Sequence, residues 1–162
     1  MRSPYKLVDV PDGWVGWLRG RIVANPPLVA PLSGRACAYY HLMAKDDDDH
    51  AAVGVEASTT PIVIDDGTAR AVVEPDAAFV HVVYDVLERV RDGALLTRLG
   101  VEGPYLLREG VLEPGQWISI HGQCTRDVDR DPRRVSDYRS GPPTLLRVGR
   151  GARVQLWVSE VD

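Results

Sequence analysis

The sequence is poor in the residues that staple or anchor a chain. Its two cysteines in 162 residues, Cys37 and Cys124, are too few for a disulfide framework and too far apart for the paired ligand spacing of a zinc site. They read as buried thiols, with a thiol pair across neighbouring strands as the competing expectation. No run of about 18 apolar residues occurs, and residues 1–12 carry Arg2 and Lys6 without the apolar stretch of a secretory signal, so a soluble, cytoplasmic protein is expected. A basic surplus is missing as well, because 23 Asp and Glu outweigh 19 Lys and Arg for a net charge of −4. Polyanion binding needs clustered cations, so nucleic acid is not the expected partner. The Gly-x-Ser-x-Gly elbow of serine hydrolases is absent, which leaves Ser33 as a turn residue.

What is present is a succession of short alternating stretches broken by Gly, Pro and Asp. The apolar fraction of 44% suffices for one domain with a real core, expected to span residues 1–162 with its core at about 13–159. Residues 13–23 read as a long strand with Trp14, Leu18 and Ile22 on one face and Val15, Trp17 and Val23 on the other. Gly16 and Gly20 inside it suggest the curvature of a barrel. Pro31-Leu32-Ser33-Gly34 reads as a rigid turn into a central strand, with Cys37, Tyr39, His41 and Met43 on one face.

Lys45-Asp46-Asp47-Asp48-Asp49-His50 reads as a solvated hairpin tip, since it lacks the glycine-turn spacing of a calcium loop. Ala52 to Thr59 reads as a returning strand. Ile62 to Val73 forms a hairpin about Asp66-Gly67, Ala77 to Tyr84 a strand followed by a loop, and Ala94 to Gly100 the one helix, stopped by its glycine. Tyr105 to Leu112 and Gln116 to Cys124 are expected to pair across Glu113-Pro114-Gly115, and residues 145–148 and 154–158 to close the fold about a turn at Gly149 to Gly151. Arg126 to Ser140, rich in Arg and Asp, reads as a long mobile loop, with a partner-binding arm as the functional alternative and Arg126, Arg130, Arg133, Arg134, Tyr138 and Arg139 as its contact residues. The fold expected from all this is an all-β, small curved barrel, OB-like, with one short helix and a long mobile loop.

The segments Trp17 to Val23, Pro31 to Tyr40, Ile64 to Ala69 and Arg108 to Gln116 resemble the GIDE domain, also called the beside-a-membrane domain. That domain is the extra-membrane module of mitochondrial membrane-anchored ubiquitin ligases and occurs in related bacterial proteins. The resemblance runs from about Val15 to Val158, and Pro-Leu-Ser-Gly-x-x-Cys-x-Tyr-Tyr is its most specific part. The ligases add two membrane helices and a zinc-binding RING, whose clustered cysteines and histidines this sequence does not contain.

The resemblance therefore implies a recognition module rather than the ligase activity. The expected function is non-enzymatic binding of a protein or peptide partner, a membrane-bound protein among the candidates, through loops and an exposed strand edge, with no cofactor, metal or catalytic residue. The alternative is a small-ligand-binding protein or hydrolase-like enzyme with a pocket lined by Trp14, Trp17, Tyr39, Tyr40 and His41. A third reading is single-stranded nucleic acid on barrel aromatics, with salt-dependent binding as its signature.

Overall fold

The computed structural model describes residues 3–24, 26–46, 52–134, 141–149 and 154–158. The fold is almost wholly β. Among the described residues there are thirteen strands, numbered here in chain order, and one α-helix. Contacts within the chain divide it into two compact units. The first comprises Met1–Val23, Thr60–His81 and Gly115–Asp162, and the second Ala24–Thr59 and Val82–Pro114.

The first unit is a closed five-stranded barrel. β1 (Val15–Val23) pairs antiparallel with β6 (Ile62–Asp65), and β6 turns back into β7 (Arg70–Val73). β7 runs parallel to β12 (Thr144–Val148), which is antiparallel to β11 (Trp117–Val128), and β11 returns antiparallel to β1. Strict alternation fills the interior with Leu18, Ile22, Ile62, Ile64, Ala71, Val73, Ile118, Ile120, Cys124 and Leu146, all essentially without exposure.

Gly20 points inward between them. A Cβ there would lie 3.1 Å from the Asp65 nitrogen, so the sequence's curvature signal marks a true close approach of β1 and β6. Beyond the ring, β13 (Val154–Val158) lies antiparallel to β11, and β8 (Ala78–Val80) lies parallel to β13 as the last strand of that sheet.

The second unit is an antiparallel sheet of order β5-β4-β10-β9, from β5 (Ala52–Ala57), β4 (Tyr39–Lys45), β10 (Tyr105–Leu112) and β9 (Tyr84–Val90). Helix α1 (Ala94–Leu99) packs Leu96 against Leu42, Ala44 and Leu107. Gly100 ends it at φ +71°, its N–H reaching back to the carbonyls of Leu96 and Thr97 as a left-handed cap does. Two short strands, β2 (Leu28–Val29) and β3 (Ala36–Cys37), flank the Pro31–Gly34 turn, and Gly34 adopts φ +72°.

One buried carboxylate secures that turn. Glu109 has no exposure and stands opposite Leu42 on the core face of the sheet. Its carboxylate accepts the backbone N–H of Leu32 at 2.6 Å, that of Ser33 at 3.0 Å and the Ser33 hydroxyl at 2.5 Å. Three donors compensate the desolvation that a buried anion would otherwise suffer.

Several sequence expectations need correction. Tyr105 to Leu112 and Gln116 to Cys124 do not pair with each other: β10 joins β4 and β9 in the second unit, and β11 joins β1, β12 and β13 in the first. The Pro114-Gly115 turn, with Gly115 at φ +83°, carries the chain from one sheet to another rather than round a hairpin. Ala78–Val80 is a strand and residues 81–83 a loop, as expected within Ala77 to Tyr84, but the chain then enters strand β9, which pairing with β10 sets over a weak local pattern.

The core face of β4 carries Leu42 and Ala44, with His41 and Met43 on the other face, and a bend at Ala38 separates Cys37 of β3 from the β4 alternation. β11 continues to Val128, past the expected start of the loop. The tip residues 47–50, the loop residues 135–140 and residues 150–151 of the closing turn lie outside the described residues.

Replacing Glu109 by Ala strands three donors, and each unsatisfied buried group costs roughly 1–3 kcal/mol. Urea unfolding followed by circular dichroism is expected to show a loss of about 3 kcal/mol for Glu109→Ala, with Glu109→Gln and Ser33→Ala each losing less. Equal stability of Glu109→Ala and the unaltered chain would contradict the clamp.

Candidate functional site

The outer wall of the first unit collects side chains that are scattered in sequence. Because Leu18, Ile22, Ile118, Ile120, Val154 and Leu156 point inward, the intervening residues of β1, β11 and β13 must point outward. Register then sets them in rows. Trp17 stands opposite His121, His121 opposite Gln155, and Gln155 opposite Phe79. In the next row Arg19 stands opposite Ser119 and Ser119 opposite Trp157, and in the third Arg21 stands opposite Trp117. Three of the four tryptophans and the single phenylalanine thus occupy one sheet face.

The two ends of this face differ in character. At the β1 end the guanidinium groups of Arg19 and Arg21 lie 5.1 and 5.2 Å from the centre of the Trp117 ring, a cation–π arrangement. Trp17 and His121 tilt together with ring centres 5.0 Å apart. At the β8 end His81 stacks on Trp157 with centres 3.5 Å apart and planes 15° from parallel, and Phe79 lies 5.1 Å from His81. The His81 N–H donates to the Leu156 carbonyl, which carries the β8 pairing one residue further and holds the imidazole over the indole.

These rings border a concavity of about 560 Å³, lined by Asp76, Phe79, His81, Val154, Gln155 and Trp157. Phe79 is 69% exposed, unusual for so large an apolar side chain. Asp76 sits in the 3-10 turn Pro75–Ala77 that introduces β8.

The arginines expected to contact a partner are largely engaged within the chain. Arg126 lies in β11, where its guanidinium donates to the carbonyls of Val8 and Val10 and to the Thr144 hydroxyl, while its backbone N–H donates to Asp12. Arg133 pairs with Asp131 at 2.8 Å, and Arg134 pairs with Asp65. Arg130 is exposed. Tyr138 and Arg139 lie outside the described residues.

Asp129 and Asp131 converge on Arg70 from β7, with Asp131 at 2.9 Å. Burial pushes the Asp129 carboxyl up, but its bonds to Arg70 and to the Asp131 N–H outweigh burial and hold it below the ordinary range. Asp131 is held well below by Arg133 first, through its side chain and its backbone N–H, and by the charge of Arg70.

Cys37 and Cys124 are free, fully buried thiols, one in each unit. Burial raises the pKa of both, that of Cys124 to about 11. The aromatics expected to line a pocket likewise divide between the units: Trp14 packs edge-on against Tyr5, the Tyr40 hydroxyl donates to Glu56, and His41 Nδ1 lies 2.8 Å from the Tyr84 hydroxyl. The Ser33 hydroxyl donates to Glu109. Among the described residues no three His, Cys, Asp or Glu side chains are grouped to hold a metal.

Sequence reasoning passed over Phe79, His81, Trp117 and Trp157, along with Arg19 and Arg21. Alternation along each strand was a local signal that they face outward, but only register sets them side by side. A scan against family models found no match, and searches of curated proteins and of solved structures found none either.

A carboxyl whose folded pKa is depressed stabilises the fold above its unfolded pKa and loses that contribution as pH falls through the folded value. The Asp129 and Asp131 contribution is therefore complete at neutral pH and titrates away below about 4. In Arg70→Met the urea midpoint is expected to fall less steeply than in the unaltered chain between about pH 5 and pH 2. Parallel profiles would remove Arg70 from the account.

Proposed function

We propose that the protein is a non-enzymatic recognition module that receives an extended peptide, or a strand-like segment of a protein, at the β8 edge of the barrel's outer face. The observation that carries this reading is the 69% exposed Phe79 beside the His81–Trp157 stack, at the end of a sheet whose last strand is only three residues long. An edge strand offers unpaired backbone groups to an incoming chain, and exposed aromatics beside it supply the pockets that select side chains. Tyr, Trp and Phe dominate binding hot spots because they bury much area at little rotamer cost.

The ring order β1-β6-β7-β12-β11, taken by appearance along the ring's own strands, is 1-2-3-5-4 and supports an OB-like barrel, a scaffold used for binding many kinds of ligand. A GIDE-like identity accords with the contact between two of the resembling segments, since Glu109 of Arg108-Glu109-Gly110 grips Leu32 and Ser33 of the Pro-Leu-Ser-Gly turn. On this reading those segments shape the second unit, and recognition falls to the outer face of the first. A small aromatic ligand in the same concavity is a second reading, favoured by a volume within the roughly 300–1,000 Å³ of ordinary ligand sites.

Selection from a library of random twelve-residue peptides on the immobilised chain tests the proposal. Selected peptides are expected to bind Phe79→Ala and Trp157→Ala at least about 10-fold more weakly, the loss typical of an aromatic hot spot, with Arg133→Ala within twofold of the unaltered chain. Peptides that bind both aromatic variants undiminished would move the site elsewhere.

A further inference from the structure

Among the described residues, the lining of the β8 concavity has one formally charged side chain, Asp76, against three rings, the Gln155 amide and the aliphatic Ala78 and Val154. Many of the chain's aspartates are already committed: Asp65 to Arg134, Asp85 to Arg35, Asp127 to Arg147, Asp129 and Asp131 to Arg70, and Asp66 to backbone donors of its own turn and of Leu7. Asp76 is different. It is exposed, and among the described residues its carboxylate has no hydrogen-bond or ion-pair partner.

The rings are arranged unequally around it. His81 covers one face of Trp157 at 3.5 Å, whereas most of Phe79 is open to solvent. An unpaired carboxylate beside open aromatic faces is a chemistry suited to a cation, which gains from the ring quadrupole and from the anion together. Arg19 and Arg21 of β1 lie at the other end of this sheet face, over the Trp117 ring, and the net charge of −4 adds a long-range bias of the same sign as Asp76.

We infer that the β8 concavity takes a lysine or arginine side chain of the bound peptide, with its stem against Phe79 and Trp157 and its charged head toward Asp76. This rests on the peptide-recognition reading and adds to it the identity of the anchoring residue. An apolar anchor would leave Asp76 facing the buried contact without a counterion, and an acidic anchor would set two like charges together. The selectivity expected is therefore of sign as well as of shape.

The test uses the full chain and the same twelve-residue library on three proteins: the unaltered chain, Asp76→Asn and Asp76→Lys. Asp76 is exposed in a surface turn, and unchanged urea midpoints establish that the variants fold. Peptides retained by the unaltered chain are expected to be enriched several-fold in Lys or Arg at one position, Asp76→Asn to lose that enrichment, and Asp76→Lys to exchange it for Asp or Glu. A pool that depends on Phe79 and Trp157 yet shows no basic enrichment, or keeps it with Asp76→Asn, overturns the cationic anchor and leaves peptide recognition standing. Failure to retain any pool overturns both. Binding of a fluorescein-labelled fifteen-nucleotide oligothymidylate at low salt, lost in Trp157→Ala, would also overturn both in favour of single-stranded nucleic acid.

Discussion

The two-residue period of β11 is the constraint on which the first unit depends. This strand of twelve residues bonds β1 along one edge and, along the other, β13 near its start and β12 near its end. Its inward residues Ile118, Ile120 and Cys124 fill the barrel, so Trp117, Ser119 and His121 are directed outward by necessity. A shift of one residue would empty the core and bury the outer face at the same time. The aromatic outer face is thus the other side of the packing requirement.

The second unit depends on a polar contact instead. Most of its core face is aliphatic, but Glu109 occupies a core position and reaches the Pro31–Gly34 turn, where it takes three hydrogen bonds. A hydrophobic residue of similar size would fill the same space without fixing the direction of the turn. Beside it, Gly110 allows the backbone at Val83 to approach, since a Cβ there would lie 2.7 Å from the Val83 carbonyl oxygen. Glu109 and Gly110 are thus each explained by a close neighbour, one on each side of the sheet.

What could be read from the sequence was local. The Asp66-Gly67 hairpin joins β6 and β7 as expected, Gly67 at φ +89°, and the helix stops at Gly100. The all-β class and curved barrel followed from short alternating stretches and from Gly20. Pairing was another matter. Nothing within β10 or β11 marks them for different sheets, and a Pro-Gly turn is equally compatible with a hairpin and with a crossing. Glu109 left a local trace, because it shares the parity of Leu107 and Val111 in an otherwise apolar row. The aromatic face left only the alternation that turns each ring outward, for its side-by-side assembly from four strands is set by the completed sheet.

The parallel seam between β7 and β12 closes the ring from segments far apart in the chain, with β6 and β7 made early and β12 near the C-terminal end. Contacts of such sequence separation slow folding, because chain entropy must be lost before they repay it. During synthesis the sheet of the second unit can assemble once Pro114 has emerged, whereas the barrel stays an open, edge-exposing sheet until residues 144–148 arrive. The chain thus passes through a stage in which one unit has all its strands and the other lacks its last seam, and it is then that the strand edges of β7 and β11 are most open to wrong partners.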